Sequence, residues 1–117
     1  MGENCSANSR LIVQENIKEA LLDKMLAHLR DWKTGDPLDP SNYLGPFVDV
    51  EHFKKVCSYL DNDNIITGGV TESPCYVLPT IVDKVDPNSK LAQEEVFGPI
   101  LSVITVKSFD EDRKSVV

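Results

Sequence analysis

The sequence is poor in positive charge, in long apolar stretches and in cysteine pairs, and each shortage excludes a class of protein. Its 117 residues include 12 Lys and Arg against 19 Asp and Glu, a formal net charge of −7. Such a chain repels phosphate backbones and anionic lipid headgroups. The longest run without a charged residue, from Val96 to Val106, is 11 residues long, whereas a membrane span needs about 20. We therefore expect neither nucleic acid nor a membrane as a partner.

The cysteine pattern argues against a disulfide framework and against a metal site. There are three cysteines, Cys5, Cys57 and Cys75, with no Cys-x-x-Cys pair and no Cys/His cluster at metal-ligand spacing. An odd number of cysteines without such spacing indicates free thiols, which is typical of proteins in a reducing compartment. The first residues also lack the basic segment and apolar stretch of a secretory signal peptide. We expect an intracellular protein that binds no metal.

The N-terminal half predicts one strand and two helices. Residues 10–14 contain a short apolar run with β-branched residues, which predicts a strand. Asn16 is expected to cap the next helix, with Glu19 completing a capping box, and Gly35 and Pro37 are expected to end it. The apolar stripe of this helix comprises Ile17, Leu21, Met25, Leu29 and Trp32. A second helix, capped by Asp49, is expected to bury Val50, Phe53, Cys57 and Leu60.

The C-terminal half predicts three strands and a short helix or turn. A brief strand over 65–67 is expected to stop at Gly68, and 76–82 is expected to be extended, with Pro79 at a sheet edge or strand end. Residues 91–97 follow as a short helix or turn. Residues 100–106 are apolar on both faces, which is typical of a central strand covered on two sides. Alternating strands and helices predict an α/β fold with a mainly parallel sheet, forming part of a larger structure.

Cys5 lies among small and polar residues, in the sequence GENCSANSR at 2–10. Small neighbours let a substrate approach, and a turn leading into a short helix would direct N–H dipoles at the sulfur and favour the thiolate. Arg10 would add positive potential. The alternative, an inert cysteine that packs as a small apolar residue, stays open for Cys5 on these grounds. It describes Cys57 and Cys75 better.

A second candidate motif is EEVFGP at 94–99. One carboxylate can bind both hydroxyls of a ribose, and a neighbouring aromatic ring can flank a planar ligand. On local grounds alone, two solvated glutamates before a turn remain the simpler interpretation. His28 and His52 have no partner at ligand spacing and are expected to be surface or internally satisfied residues.

The two motifs together resemble the two active-site signatures of the aldehyde dehydrogenase superfamily. Landmarks between them occur in the family's order: GDPL at 35–38, LGP at 44–46 and YVLPT at 76–80. The resemblance covers residues 2–110. It implies an incomplete part of the family's three-layer α/β catalytic domain, with a mainly parallel sheet. Residues 1–112 would be that partial domain and 113–117 a divergent tail.

The resemblance also implies a chemistry. Cys5 would be the nucleophile that attacks an aldehyde, giving a thiohemiacetal and then a thioester, with its own backbone N–H holding the oxyanion. Glu95 would bind the nicotinamide ribose of NAD or NADP, and Phe97 would pack beside that end of the cofactor. The whole protein would be a homo-oligomer in the cytoplasm, with a mitochondrial location still open.

Other parts of the family's machinery are not found in this sequence: the dinucleotide-binding domain, the glutamate that activates the deacylating water and the asparagine that completes the oxyanion hole. Glu3 also stands where the family more often has glutamine. We therefore expect the chain alone to be inactive as a dehydrogenase. Two alternatives stay open: a residual cysteine esterase, which needs no cofactor, and a non-catalytic fragment or interaction module.

Overall fold

A computed structural model describes residues 2–61 and 64–115, with side chains through residue 112. Strands and helices alternate irregularly along the chain. In chain order they are β1 (Arg10–Gln14), α1 (Glu15–Leu29), α2 (Val50–Cys57), β2 (Ile65–Val70), β3 (Val77–Val82), α3 (Lys90–Gln93), β4 (Ile100–Val106) and α4 (Phe109–Ser115). Of the tail predicted at 113–117, residues 116 and 117 lie outside the described part.

The four strands form one sheet in the order β1-β4-β3-β2. Strand β4 pairs in parallel with both β1 and β3, and only β2 is antiparallel to its neighbour. The predicted α/β fold with a mainly parallel sheet is therefore confirmed. The apolar run at 100–106 is the inner strand that its two-sided hydrophobicity indicated.

Both faces of the sheet are covered, which gives three layers. Because side chains alternate along a strand, Val103 and Ile104 of β4 belong to different clusters. Val103 packs with Leu22 of α1. Ile104 lies in the cluster that contains Val56 of α2 and Leu91 of α3. Helix α1 thus covers one face, and α2 and α3 cover the other.

Helix α1 differs from its predicted form at both ends and in part of its buried face. It begins directly after β1, with Gln14 at the N-cap and no side-chain capping bond, so the predicted cap at Asn16 is wrong. It ends at Leu29, before the predicted stop.

Most of the predicted apolar stripe of α1 does face the sheet. Leu21, Met25 and Leu29 pack against the core cluster that contains Leu22. Ile17 is 52% exposed, and Trp32, which lies beyond the helix, is 47% exposed, so these two residues were wrongly placed inside. Lys18 is buried instead.

Strands β2 and β3 also correct two expectations. Strand β2 continues through Gly68, which has φ +86 and where a Cβ would overlap the carbonyl oxygen of Pro79. The register between the two strands shifts between Thr67 and Gly69. Pro79 lies within that irregularity, and its strand is an inner one rather than an edge. A β-bulge lets an inner strand accept proline because no regular ladder bond is needed there.

Helix α2 begins as predicted. The backbone N–H of His52 donates to Asp49 Oδ1 at 2.7 Å, which is the expected N-cap bond. Its buried face is centred on Val56, which is fully buried, whereas Val50 is 50% exposed and was wrongly placed inside. Within 2–61 and 64–115, every helix is too short or too polar to cross a bilayer.

Candidate active site

Cys5 occupies a tight turn that leads into β1. The Asn4 side chain organises this turn, because Oδ1 accepts bonds from both the N–H and the hydroxyl of Ser6, at 2.9 and 2.8 Å. The Ala7 N–H donates to the Asn4 carbonyl at 3.0 Å. The predicted turn is therefore present, but the short helix after it is not. Cys5 is exposed, and its own N–H donates to no atom of the described residues.

The two glutamates that follow α3 have different environments. Glu94 Oε2 accepts a 2.6 Å hydrogen bond from the Tyr59 hydroxyl. This bond, together with burial, raises the pKa of Tyr59 above its ordinary value. Glu95 is exposed, and its carboxylate makes no hydrogen bond or ion pair to the part of the chain that the structure describes. Glu95 therefore has its whole carboxylate free for a ligand, whereas one oxygen of Glu94 is occupied by Tyr59.

Phe97 has a left-handed backbone, with φ +59. Such a conformation is unfavourable for a non-glycine residue and needs support from its surroundings. The Phe97 carbonyl accepts a 2.8 Å hydrogen bond from His52 Nε2. On the other side of the loop, Gly2 has φ +80, and a Cβ there would overlap the carbonyl oxygen of Gly98. The segment before β1 (residues 2–9, the cysteine loop) and the segment between α3 and β4 (residues 94–99, the glutamate loop) therefore touch backbone to backbone, and glycine at position 2 permits this contact.

A cavity of about 200 Å³ lies between these two loops. Cys5, Glu95 and Phe97 all line it, so the structure brings together the three residues singled out in the sequence. Arg10 lies at its wall, where the guanidinium donates to the Ala92 carbonyl at 2.8 Å. The cavity therefore combines an accessible thiol, a free carboxylate, an aromatic ring and a fixed positive charge.

A larger groove, of about 570 Å³, opens between α1 and the sheet. Its lining is mainly apolar, with Met25, Leu29 and Trp32 on the helix side. The described residues along it include no cysteine and no carboxylate. The chemically equipped site is therefore the smaller cavity.

The remaining candidate groups do not join this site. Burial raises the pKa of the Cys57 thiol, which makes it less reactive than an ordinary cysteine. Cys75 is half-buried and, like the other two, is a free thiol. Nowhere in the described ranges do three or more His, Cys, Asp or Glu side chains gather as a metal site would require.

His52 is the residue near the site whose position the sequence did not reveal. Its expected status as a satisfied histidine is confirmed, but its partner, the Phe97 carbonyl, lies 45 residues away in the chain. Its ring nitrogen also lies 3.7 Å from Glu3 Oε1 on the cysteine loop. A backbone carbonyl leaves no signature in a sequence, so no local pattern could have shown this contact.

The three-layer fold and the cavity together define a class of protein: an α/β protein in which an accessible cysteine and a free glutamate line one cavity beside a mainly parallel sheet. Residues 1–114 match the sequence profile of the aldehyde dehydrogenase family. The chain belongs to the aldehyde dehydrogenase family.

Its relatives are much longer. The aminoacetaldehyde dehydrogenase of Pseudomonas aeruginosa is 52% identical over 116 residues, which cover 95% of this chain and 23% of that protein. A γ-glutamyl-γ-aminobutyraldehyde dehydrogenase from Burkholderia cenocepacia superposes with a TM-score of 0.89 at 39% identity, over 98% of this chain and 25% of that one. An NAD-dependent aldehyde dehydrogenase from Sinorhizobium meliloti gives 0.89 at 35%, over 97% and 24%. This chain spans about a quarter of their length.

Proposed function

We propose that this chain carries the nucleophile and part of the cofactor site of an NAD(P)-dependent aldehyde dehydrogenase, which oxidises an aldehyde to a carboxylic acid. The observation that supports this most is the shared cavity, which is lined by both an exposed Cys5 and the unpaired Glu95. Family membership gives this arrangement its chemical meaning. The role proposed for each residue follows from its exposure and from its hydrogen-bonding atoms that have no partner among the described residues.

Cys5 would act as a covalent catalyst. Its thiolate adds to the aldehyde carbon, forming a C–S bond while the carbonyl electron pair moves to oxygen. The N–H of Cys5, which has no partner among the described residues, would donate to that oxyanion. Collapse of the oxyanion expels hydride and leaves a thioester on Cys5. Water then hydrolyses the thioester, releasing the acid and the thiol.

The residues present fit one end of a nicotinamide dinucleotide. A cavity of about 200 Å³ is smaller than the roughly 300–1,000 Å³ of sites that enclose drug-sized ligands, so it would hold a nicotinamide and its ribose rather than a whole dinucleotide. The Glu95 carboxylate would accept bonds from the ribose hydroxyls, and Phe97 would flank the ring. When bound, the nicotinamide supplies the hydride acceptor. The NAD-dependent relative favours NAD over NADP.

We further propose an amino aldehyde as the substrate. The Pseudomonas relative is an aminoacetaldehyde dehydrogenase and the Burkholderia relative is a γ-glutamyl-γ-aminobutyraldehyde dehydrogenase, as their names state. A protonated amino group would also be attracted by a chain with a net charge of −7. In an active enzyme, kcat/KM should therefore be higher for aminoacetaldehyde than for an uncharged aldehyde of equal length.

A chimaera tests the proposed function directly. The matching 116 residues of the Pseudomonas aminoacetaldehyde dehydrogenase would be replaced by this chain, and NADH formation would be followed at 340 nm. We expect the chimaera to oxidise aminoacetaldehyde with NAD, because Cys5, Glu95 and Phe97 would then be combined with the remaining parts of a full-length enzyme. A chimaera that folds and binds NAD but oxidises no aldehyde would contradict the proposal.

Glu94 and Glu95 offer a matched pair of variants in that chimaera. Glu95→Gln should raise the KM for NAD by about tenfold, since a charged acceptor of ribose bonds contributes about 1.5–3 kcal/mol. Glu94→Gln should leave that KM unchanged but lower the stability by about 1 kcal/mol, because it weakens the bond from Tyr59. The KM of each variant is obtained from initial rates against NAD concentration, and its stability is obtained from thermal melting. Equal effects on KM from both variants would refute the division of roles.

Cysteine esterase activity is the second candidate, because Cys5 is exposed in the chain as it stands and ester hydrolysis needs no hydride acceptor. The 117-residue chain would be assayed with p-nitrophenyl acetate. Hydrolysis that is unaffected by NAD and lost in Cys5→Ala would support it. Equal hydrolysis by both proteins would exclude it.

A further inference from the structure

The His52 side chain lies between the two loops that form the cavity. Its Nε2 is 2.8 Å from the Phe97 carbonyl oxygen on the glutamate loop. The same nitrogen is 3.7 Å from Glu3 Oε1 on the cysteine loop. The His52 and Glu3 side chains are only 18% and 21% exposed, so both contacts are largely shielded from water. No other described side chain makes polar contacts with both loops.

The position of the His52 ring is fixed from several directions. Its backbone N–H is held by the Asp49 cap at the start of α2. The ring packs edge-on against Phe47, with centroids 5.1 Å apart, and against Phe97 at 6.2 Å. A ring held in this way presents Nε2 to the Phe97 carbonyl with little freedom to rotate.

The direction of the hydrogen bond follows from the chemistry of its partners. A carbonyl oxygen can only accept, so Nε2 must carry the proton and donate. Nε2 carries a proton in the imidazolium form and in the neutral tautomer protonated at Nε2, though not in the tautomer protonated at Nδ1. The bond to the Phe97 carbonyl is therefore compatible with either charge state of His52.

We propose that His52 is a positioning residue, which holds the left-handed backbone of Phe97 by its carbonyl and so keeps Glu95 in the lining of the cavity that it shares with Cys5. A non-glycine residue at φ +59 relaxes to a more favourable conformation unless its surroundings hold it. Relaxation at Phe97 would turn the peptide that follows Glu95 and Val96 and would carry the carboxylate away from the cavity. The inference rests on the proposed function, because that function gives Glu95 a ligand to bind.

Amide hydrogen exchange in the 117-residue chain tests this inference without any assay of activity. The Ile100 N–H donates to the Gly98 carbonyl and reports opening of the glutamate loop, while the Ser58 N–H reports on α2. His52→Leu should speed exchange at Ile100 by roughly fivefold, the factor that a typical net hydrogen bond contributes. Ser58 should not change, and the 13C shift of the Phe97 carbonyl should move.

His52→Gln provides the rescue, because a glutamine amide can donate to the same carbonyl, and exposed His28→Leu is the matched control. We expect both variants to exchange at Ile100 as the unaltered chain does. Unchanged exchange at Ile100 in His52→Leu would overturn the inference. So would equal acceleration at Ser58, or acceleration in His52→Gln as large as in His52→Leu.

The chimaera distinguishes this inference from the proposed function. If Ile100 responds as expected but the chimaera oxidises no aldehyde, His52 positions the loop and the assignment of that loop to a cofactor is wrong. If the chimaera is active and Ile100 does not respond, the proposed function stands and the positioning role of His52 is wrong.

Discussion

Replacing Cys5 with serine in the chimaera is expected to lower kcat by at least about 10³-fold. At neutral pH a cysteine is already a few per cent thiolate, whereas a serine hydroxyl needs a neighbouring base to become nucleophilic. The described residues that line the cavity include no histidine to act as that base. The measurement is single-turnover NADH formation, together with NAD binding by fluorescence, which should be unchanged.

The other two cysteines are the controls for this prediction. Neither Cys57 nor Cys75 lines the cavity, and burial raises the pKa of Cys57. Serine at either position should leave kcat within about twofold, since a residue that does not contact the reacting atoms contributes little to the barrier. A Cys5→Ser chimaera that keeps a tenth of the activity would show that the nucleophile lies elsewhere.

The parts of the fold that could be predicted are those whose signal is local. The apolar run of β4 needs cover on both faces wherever it lies, and Asp49 caps α2 through a bond to a residue three positions on. The burial of Lys18 on α1 could not be predicted, because a lysine looks like a surface residue until its partner is known. That partner, Asp83, lies 65 residues away in the chain.

In the candidate site, too, the local features could be predicted from the sequence and the long-range contacts could not. The small residues around Cys5 and the EEVFGP segment are visible as motifs, and the structure places both at one cavity. Local residues did not distinguish the two glutamates, and only the family resemblance pointed to Glu95. The bond that occupies Glu94 comes from Tyr59, 35 residues earlier in the chain. The contact between His52 and Phe97 was hidden for the same reason. Motifs therefore identified the reactive groups, and tertiary contacts decided which of them are available.

Removing one member of the buried Lys18–Asp83 ion pair is expected to lower the free energy of unfolding by about 3–5 kcal/mol. Nζ lies 2.8 Å from Oδ2, and the two side chains are 10% and 11% exposed. Asp83→Ala would leave a buried ammonium whose nearest other carboxylate is exposed Glu19, at 3.4 Å. Because small domains have only about 5–15 kcal/mol of stability in total, urea denaturation of the 117-residue chain should show a large shift.

The double variant Lys18→Met/Asp83→Leu is the sharper half of this test. Its free energy of unfolding should be within about 1 kcal/mol of that of the unaltered chain, because both charges are removed together. The substitutions also remove Asp83 Oδ1, which is buried without a hydrogen-bond partner among the described residues.

The bond to Asp83 raises the pKa of Lys18 above its ordinary value of 10.5. The pair therefore stabilises the fold fully below that pH, and its contribution is lost as pH rises through the raised pKa.

Tyr59 also has a raised pKa, but the double variant retains this residue, so the difference between the alkaline denaturation curves of the two proteins isolates the ion pair. The unaltered chain should lose stability relative to the double variant as pH rises through the raised pKa of Lys18. A double variant much less stable than the unaltered chain would show that the pair stabilises the fold by more than its desolvation costs. Parallel alkaline curves would show that Lys18 titrates alike in the folded and the unfolded chain, which would contradict the expected pH dependence.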